Sequence, residues 1–157
     1  MGSRVLPRWV RSSFSTVLLF GVFVGSCVAP QPPHEPNARE RGLLAKSYLH
    51  EKLPLWQRRL KLQDWNISIV MAHPTALRQR TLGNIRWDAP RKTAVIRVLD
   101  ASDYHMPFSA TLKDMEFTIV HELIHLELAS LPRSEASRSE EEHVINDLAD
   151  ALLKQNP

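Results

Sequence analysis

The chain has 157 residues, 43% of them apolar and 24% charged, which suits one globular domain and excludes fibrous and wholly disordered classes. Its formal net charge of +3 belongs to the N-terminus alone. The first 26 residues hold Arg4, Arg8 and Arg11 and no acidic side chain, so of 20 basic residues 17 remain against 17 acidic ones. The remainder has no net field to attract a polyanion, and a nucleic-acid partner is not expected.

Residues 1–26 read as an export signal: arginines first, then an apolar run from Phe14 to Val24, then the small residues Gly25 and Ser26. The run is shorter than the roughly 20 apolar residues of a membrane-spanning helix, so a cleaved signal is expected rather than a permanent span. Cys27, the only cysteine, follows directly. The tetrad Val24-Gly25-Ser26-Cys27 resembles the lipobox of bacterial lipoproteins. That resemblance implies cleavage before Cys27, acylation of its thiol and a membrane partner reached through the lipid. Val28, rather than Asp, follows the cysteine. By the same resemblance this implies an exported cell-envelope lipoprotein, at the outer membrane and facing the periplasm in a Gram-negative cell. A lone thiol forms no disulfide within the chain, so the domain must be stable through its own core. Residues 27–37 contain Pro30, Pro32, Pro33 and Pro36 and read as an extended, semi-rigid tether.

The folded part is expected over 38–157. Residues 38–51, with Leu43, Leu44, Tyr48 and Leu49, suit a helical stripe. Pro54 is expected to end it, with Leu55, Trp56, Leu60 and Leu62 forming a second short helix. The period then changes: Trp65, Ile67 and Ile69 alternate with Asn66, Ser68 and Val70, as in a strand with one apolar face. Residues 83–88 and 93–99 read as two more strands, joined through Ala89-Pro90-Arg91-Lys92 as a hairpin. A long helix is expected from Thr111, which has Asp114 three residues on in capping-box spacing, to Pro132. It is apolar almost all round, as a buried helix is. A final helix is expected from about Ser139 to Leu153. The predicted fold class is α+β, a short sheet of about three strands packed on helices.

Inside the buried helix stands His121-Glu122-Leu123-Ile124-His125. Residues four apart project from one helix face, so both imidazoles can reach a single Zn²⁺ at about 2.0–2.1 Å. Glu122, one position on, is placed to take a proton from a water that the metal activates. Two histidines and a glutamate are costly to bury in an apolar helix unless something satisfies them. The bland alternative is a helix whose histidines merely hydrogen-bond.

Residues 118–126 resemble the zinc-binding helix of the zincin metallopeptidases, with Glu127 standing where that family's longer pattern is usually apolar. The metzincin branch would need Gly at 128 and His at 131, and the chain has Leu128 and Leu131. The gluzincin branch draws its third ligand from a glutamate on a following helix, with an acidic or amide residue four positions later. Glu142-His143-Val144-Ile145-Asn146 matches that pattern. By that resemblance Glu142 is a zinc ligand and Asn146 a hydrogen-bond partner of a ligand histidine. A looser resemblance, over residues 60–153, is to small metallopeptidase-like proteins of bacteria and phages. Rivals remain at this point. Ser139 and Glu142 are also spaced as a capping box, and Glu141 lies nearer the centre of the stripe Val144, Ile145, Leu148, Leu152. His143 is a third candidate.

The other histidines read plainly. His34 falls in the tether, and His50 and His73 have no partner at ligand spacing. Tyr104 and His105 precede the zinc-type helix; a loop pair of this kind is more often structural than oxyanion-stabilising. The first functional expectation is a zinc-dependent peptidase of minimal gluzincin type. Its catalytic residue would be Glu122, its zinc ligands His121, His125 and Glu142, and its substrate a peptide or protein, peptidoglycan peptide included. Strand 93–99 is expected to offer an edge to an extended substrate. The second expectation is a non-catalytic lipoprotein that keeps scaffold and metal as a structural or binding module, since so small a domain leaves little room for a cleft.

Overall fold

The computed structural model describes residues 34–77, 81–131 and 138–155, with backbone only at 138 and 139. The expected export signal, Cys27 and residues 28–33 of the expected tether lie outside them. So does Pro132, while Ser139, the expected cap, is described in its backbone only. Among the described residues no helix is long and apolar enough to cross a membrane.

Helix α1 spans Ala38–Arg59 and is closed at its start by a capping box: Glu40 N–H donates to Asn37 Oδ1 at 3.1 Å, and Asn37 N–H to Glu40 Oε2 at 2.9 Å. The two short helices expected here are one. Pro54 sits inside it and forfeits one backbone hydrogen bond. That loss is offset by Ala45, Leu49, Leu53 and Trp56, which are buried on both sides of the proline as one continuous stripe. Leu43 and Leu44, expected on that stripe, are exposed instead.

Strands β1 (Asn66–Ala72), β2 (Gly83–Asp88) and β3 (Thr93–Leu99) form one sheet in the order β1-β3-β2, with β1 and β3 parallel and β2 and β3 antiparallel. The expected hairpin joins β2 to β3, closed by Lys92 N–H donating to Ala89 C=O at 3.2 Å. Strand 93–99 is therefore the central strand and has no free edge, contrary to expectation. Its alternation of buried Ala94, Ile96 and Val98 with less buried neighbours turns one face of the sheet onto the helices.

Helix α2, Phe108–Glu127, lies across that face and α3, Arg138–Lys154, packs against α2. The fold is mixed α+β, as expected. Helix α2 begins one turn before the expected Thr111 cap. Thr111 is buried inside it, and the Phe108 N–H is received by the Glu35 carboxylate at 3.1 Å, an anion at a helix N-terminus. Arg41 fastens the same corner: its Nε donates to Ala101 C=O at 3.1 Å and its Nη2 to Thr111 Oγ1 at 2.7 Å. The core joins Leu49 and Trp56 of α1, Ile96 and Val98 of β3, Met115, Ile119 and Leu123 of α2, and Ile145 and Ala149 of α3.

Candidate metal centre

Helix α2 buries the residues on either side of its polar positions, with Ile119, Val120, Leu123, Ile124 and Leu126 all in the core. This anchors the helix so firmly that His121, Glu122 and His125 emerge in one fixed direction. His121 and His125 Nε2 lie 3.0 Å apart. From α3, Glu142 reaches both: its Oε2 is 3.3 Å from His121 Nε2 and its Oε1 3.3 Å from His125 Nε2. His121, His125 and Glu142 each offer one donor atom within 4.8 Å of the others. Around a tetrahedral zinc with bonds of about 2.05 Å, donor atoms sit roughly 3.3 Å from one another. Each Nε2 lies near that distance from a different oxygen of Glu142, and two imidazoles with a carboxylate are donors that zinc accepts.

Asn146, one turn beyond Glu142, places its Oδ1 3.0 Å from His121 Nδ1. An amide oxygen there accepts the Nδ1 proton and leaves the Nε2 lone pair directed at the cluster. Glu141 occupies a different place. Its Oε1 is 3.7 Å from His125 Nδ1, on the far side of that ring from Glu142. The expected stripe on α3 misplaced the wheel: Val144 and Leu148 are exposed, and Ile145 and Ala149 are the buried positions. Centring on those two turns Glu142 and Asn146 toward α2. His143 is exposed and is not one of the grouped donors.

Glu122 is nearly buried, 7% exposed. Burial, reinforced by the nearby Glu142 charge and opposed by the Ile85 backbone N–H that it accepts, pushes its carboxyl up to about 7. That N–H comes from the outer edge of β2. The close approach of strand to helix requires Gly83: a Cβ there would lie 2.4 Å from Thr118 Cγ2 and 2.9 Å from the Arg97 carbonyl oxygen. A glycine opening a strand is the one signal in the sequence that pointed to this contact. Phe117, whose ring centroid is 6.3 Å from that of His121, completes the wall on the helix side.

Comparison with models of known protein families, with curated proteins and with solved structures finds no match.

A cleft of about 740 Å³ opens over the cluster, between β2 and the facing side of α2, and His121, Glu122, His125, Glu142 and Asn146 all line it. This is the size of a ligand site, so the expectation of little room for a cleft is corrected. Tyr104 is not part of the lining. Its hydroxyl is buried beside Asp114 and Thr118, and burial with the Asp114 charge pushes it well above the ordinary tyrosine value. His73 pairs with Asp103 at 2.7 Å, away from the cleft.

Proposed function

We propose that the chain is a zinc-dependent hydrolase of peptide bonds, with His121, His125 and Glu142 holding the metal and Glu122 acting as the general base. The observation that carries this reading is the convergence of two imidazoles and a carboxylate, from two helices, with donor atoms within 4.8 Å of one another beside a buried glutamate. Bound zinc supplies Lewis-acid polarisation of a carbonyl and lowers the pKa of a water near it. Glu122 takes the proton from the attacking water and passes it to the leaving amine, while the Ile85 N–H holds its carboxylate in place. Asn146 keeps the His121 ring in one orientation. The edge that can receive an extended substrate is that of β2, which lines the cleft, through its outward backbone groups other than the Ile85 N–H held by Glu122. Export and a lipid anchor at Cys27 belong to the same proposal and rest on the sequence alone.

The test is metal content by mass spectrometry on the full chain, its His121→Ala/His125→Ala variant and Glu122→Gln, with hydrolysis of a mixed peptide library read in parallel. One zinc per chain is expected, lost in the double variant. Glu122→Gln is expected to keep the zinc and lose turnover by about 10²-fold or more. A folded chain that takes up no zinc at neutral pH sinks the metal assignment. Zinc retained without hydrolysis by either the parent or Glu122→Gln leaves the non-catalytic module standing instead.

A further inference from the structure

The sheet has a second edge, that of β1, on the other side of β3 from β2. Asn66 N–H donates to Lys92 C=O and Ala72 C=O accepts from Asp100 N–H, so the even-numbered residues of β1 turn their backbone groups toward β3. Ile67, Ile69 and Met71 therefore turn theirs outward. Among the described residues nothing hydrogen-bonds to these outward groups. Edge strands are ordinarily protected by a charge, a proline or a bulge. The strand Asn-Ile-Ser-Ile-Val-Met-Ala has no charge and no proline, and its register with β3 is unbroken over its whole length.

Beside this edge, α1 presents Arg39, Gly42, Leu43, Lys46 and His50 on successive turns, and a groove of about 600 Å³ lies between helix and strand. Its walls are partly apolar, with Leu43 63% and Val70 44% exposed. Arg39 and Lys46 have no carboxylate partner among the described residues. Asp100 also lines the groove, its Oδ1 accepting from the Ser102 N–H at 2.9 Å and hydroxyl at 2.6 Å, so two cations face one carboxylate there. Gly42 sits in the helix interior, where a glycine weakens the helix. A Cβ there would meet nothing within 4 Å. Among the described residues the packing gives no reason for that notch.

We propose that this groove receives an extended, acidic segment of a partner protein, which adds a strand to the edge of β1 and sets its carboxylates against Arg39 and Lys46. Backbone hydrogen bonds to Ile67, Ile69 and Met71 supply affinity, and an apolar side chain over Gly42 beside Leu43 supplies selectivity. Charge is what decides between occupants. A second copy of β1 would satisfy the edge, but it carries no acidic residue to answer the basic row. The inference does not depend on the metal reading.

The experiment is fluorescence polarisation on the full chain in a nonionic detergent. The probe is a fluorescein-labelled nonapeptide in which Val and Leu alternate with Thr and Glu. Saturable binding is expected, weaker by about tenfold or more when Lys replaces Glu in the peptide. Methylation of alternate peptide nitrogens, which removes donors and leaves charge alone, is expected to weaken it by about tenfold as well. Arg39→Glu with Lys46→Glu should invert the preference between the two peptides. Gly42→Ala should raise the melting temperature while weakening binding several-fold. The proposal is overturned by a lack of saturable binding at millimolar peptide, or by equal binding of the Glu and Lys peptides. It is equally overturned by binding that ignores the charge reversal, or by a dimer in sedimentation equilibrium that excludes the peptide.

Discussion

Alanine at position 83 would put a methyl group where β2 and α2 already touch. The new Cβ would sit 2.4 Å from Thr118 Cγ2 and 2.9 Å from the Arg97 carbonyl oxygen, whereas unstrained carbon contacts begin near about 3.5 Å. The shortfall against Thr118 is therefore about 1 Å. Thr118 cannot simply turn away, because its hydroxyl donates to Asp114 C=O at 3.0 Å and the side chain is buried. The Arg97 carbonyl belongs to the central strand and is held in the ladder. So β2 must retreat, and the Ile85 N–H is drawn away from Glu122. Overpacking of this kind costs about 1–3 kcal/mol, which for a domain of this size lowers the melting temperature by about 4–12 °C. Urea unfolding followed by circular dichroism reads the loss directly. Thr118→Ser removes the Cγ2 and keeps the hydroxyl, so the cost of Gly83→Ala should fall by about 1 kcal/mol in that background. A Gly83→Ala protein within about 0.5 kcal/mol of the parent, or equally destabilised with Ser at 118, would refute the contact as the reason for the glycine.

Asn146→Ala leaves the ligands in place but frees the His121 ring, and zinc affinity measured by competition with a chelating dye should fall by about 10–100-fold. Glu116 is buried on α2, where it accepts from Trp56 Nε1 at 2.8 Å and from the Tyr48 hydroxyl, with Lys52 Nζ 3.7 Å away. Glu116→Ala strands both donors of α1 and should cost about 2–4 kcal/mol in urea unfolding. Glu116→Gln, which keeps an acceptor, should cost less. Asp103 hydrogen-bonds His73 and its charge adds to the effect, holding the imidazole above its ordinary value. A raised folded value makes that pairing fully stabilising below about pH 6.5, the unfolded value, and lost as pH rises through the folded one. Proton NMR should place the His73 titration above that of the Asp103→Asn protein; coincident curves would remove the pair.

Local pattern carried much of this molecule. Period-two alternation placed β1 within a residue or two, because its two faces differ in burial, and the runs 83–88 and 93–99 coincide with β2 and β3, although only β3 of these two alternates in burial. The i, i+4 spacing in α2 put His121 and His125 on one face whatever the tertiary fold, since helix geometry alone does that. Pro54 misled for a physical reason. A proline removes one hydrogen bond and adds a clash, but burial of Leu49, Leu53 and Trp56 along one stripe outweighs that local loss. The stripe on α3 misled differently, because exposed Val144 and Leu148 look in sequence like core residues.

The sequence by itself determined the α+β class, the polar triplet on an apolar helix and the spacing that made Glu142 and Asn146 candidates. The first two follow from periodicity and helix geometry, which are properties of neighbours in the chain, whereas Glu142 and Asn146 were candidates through resemblance to the gluzincin pattern. Tertiary structure alone decided that β3 is central and β2 walls the cleft, that Gly83 lets strand and helix touch, and that Glu142 rather than Glu141 faces both Nε2 atoms. Each of those depends on which elements meet and at what rotation. That is set by burying one shared core, and no window of the chain contains it.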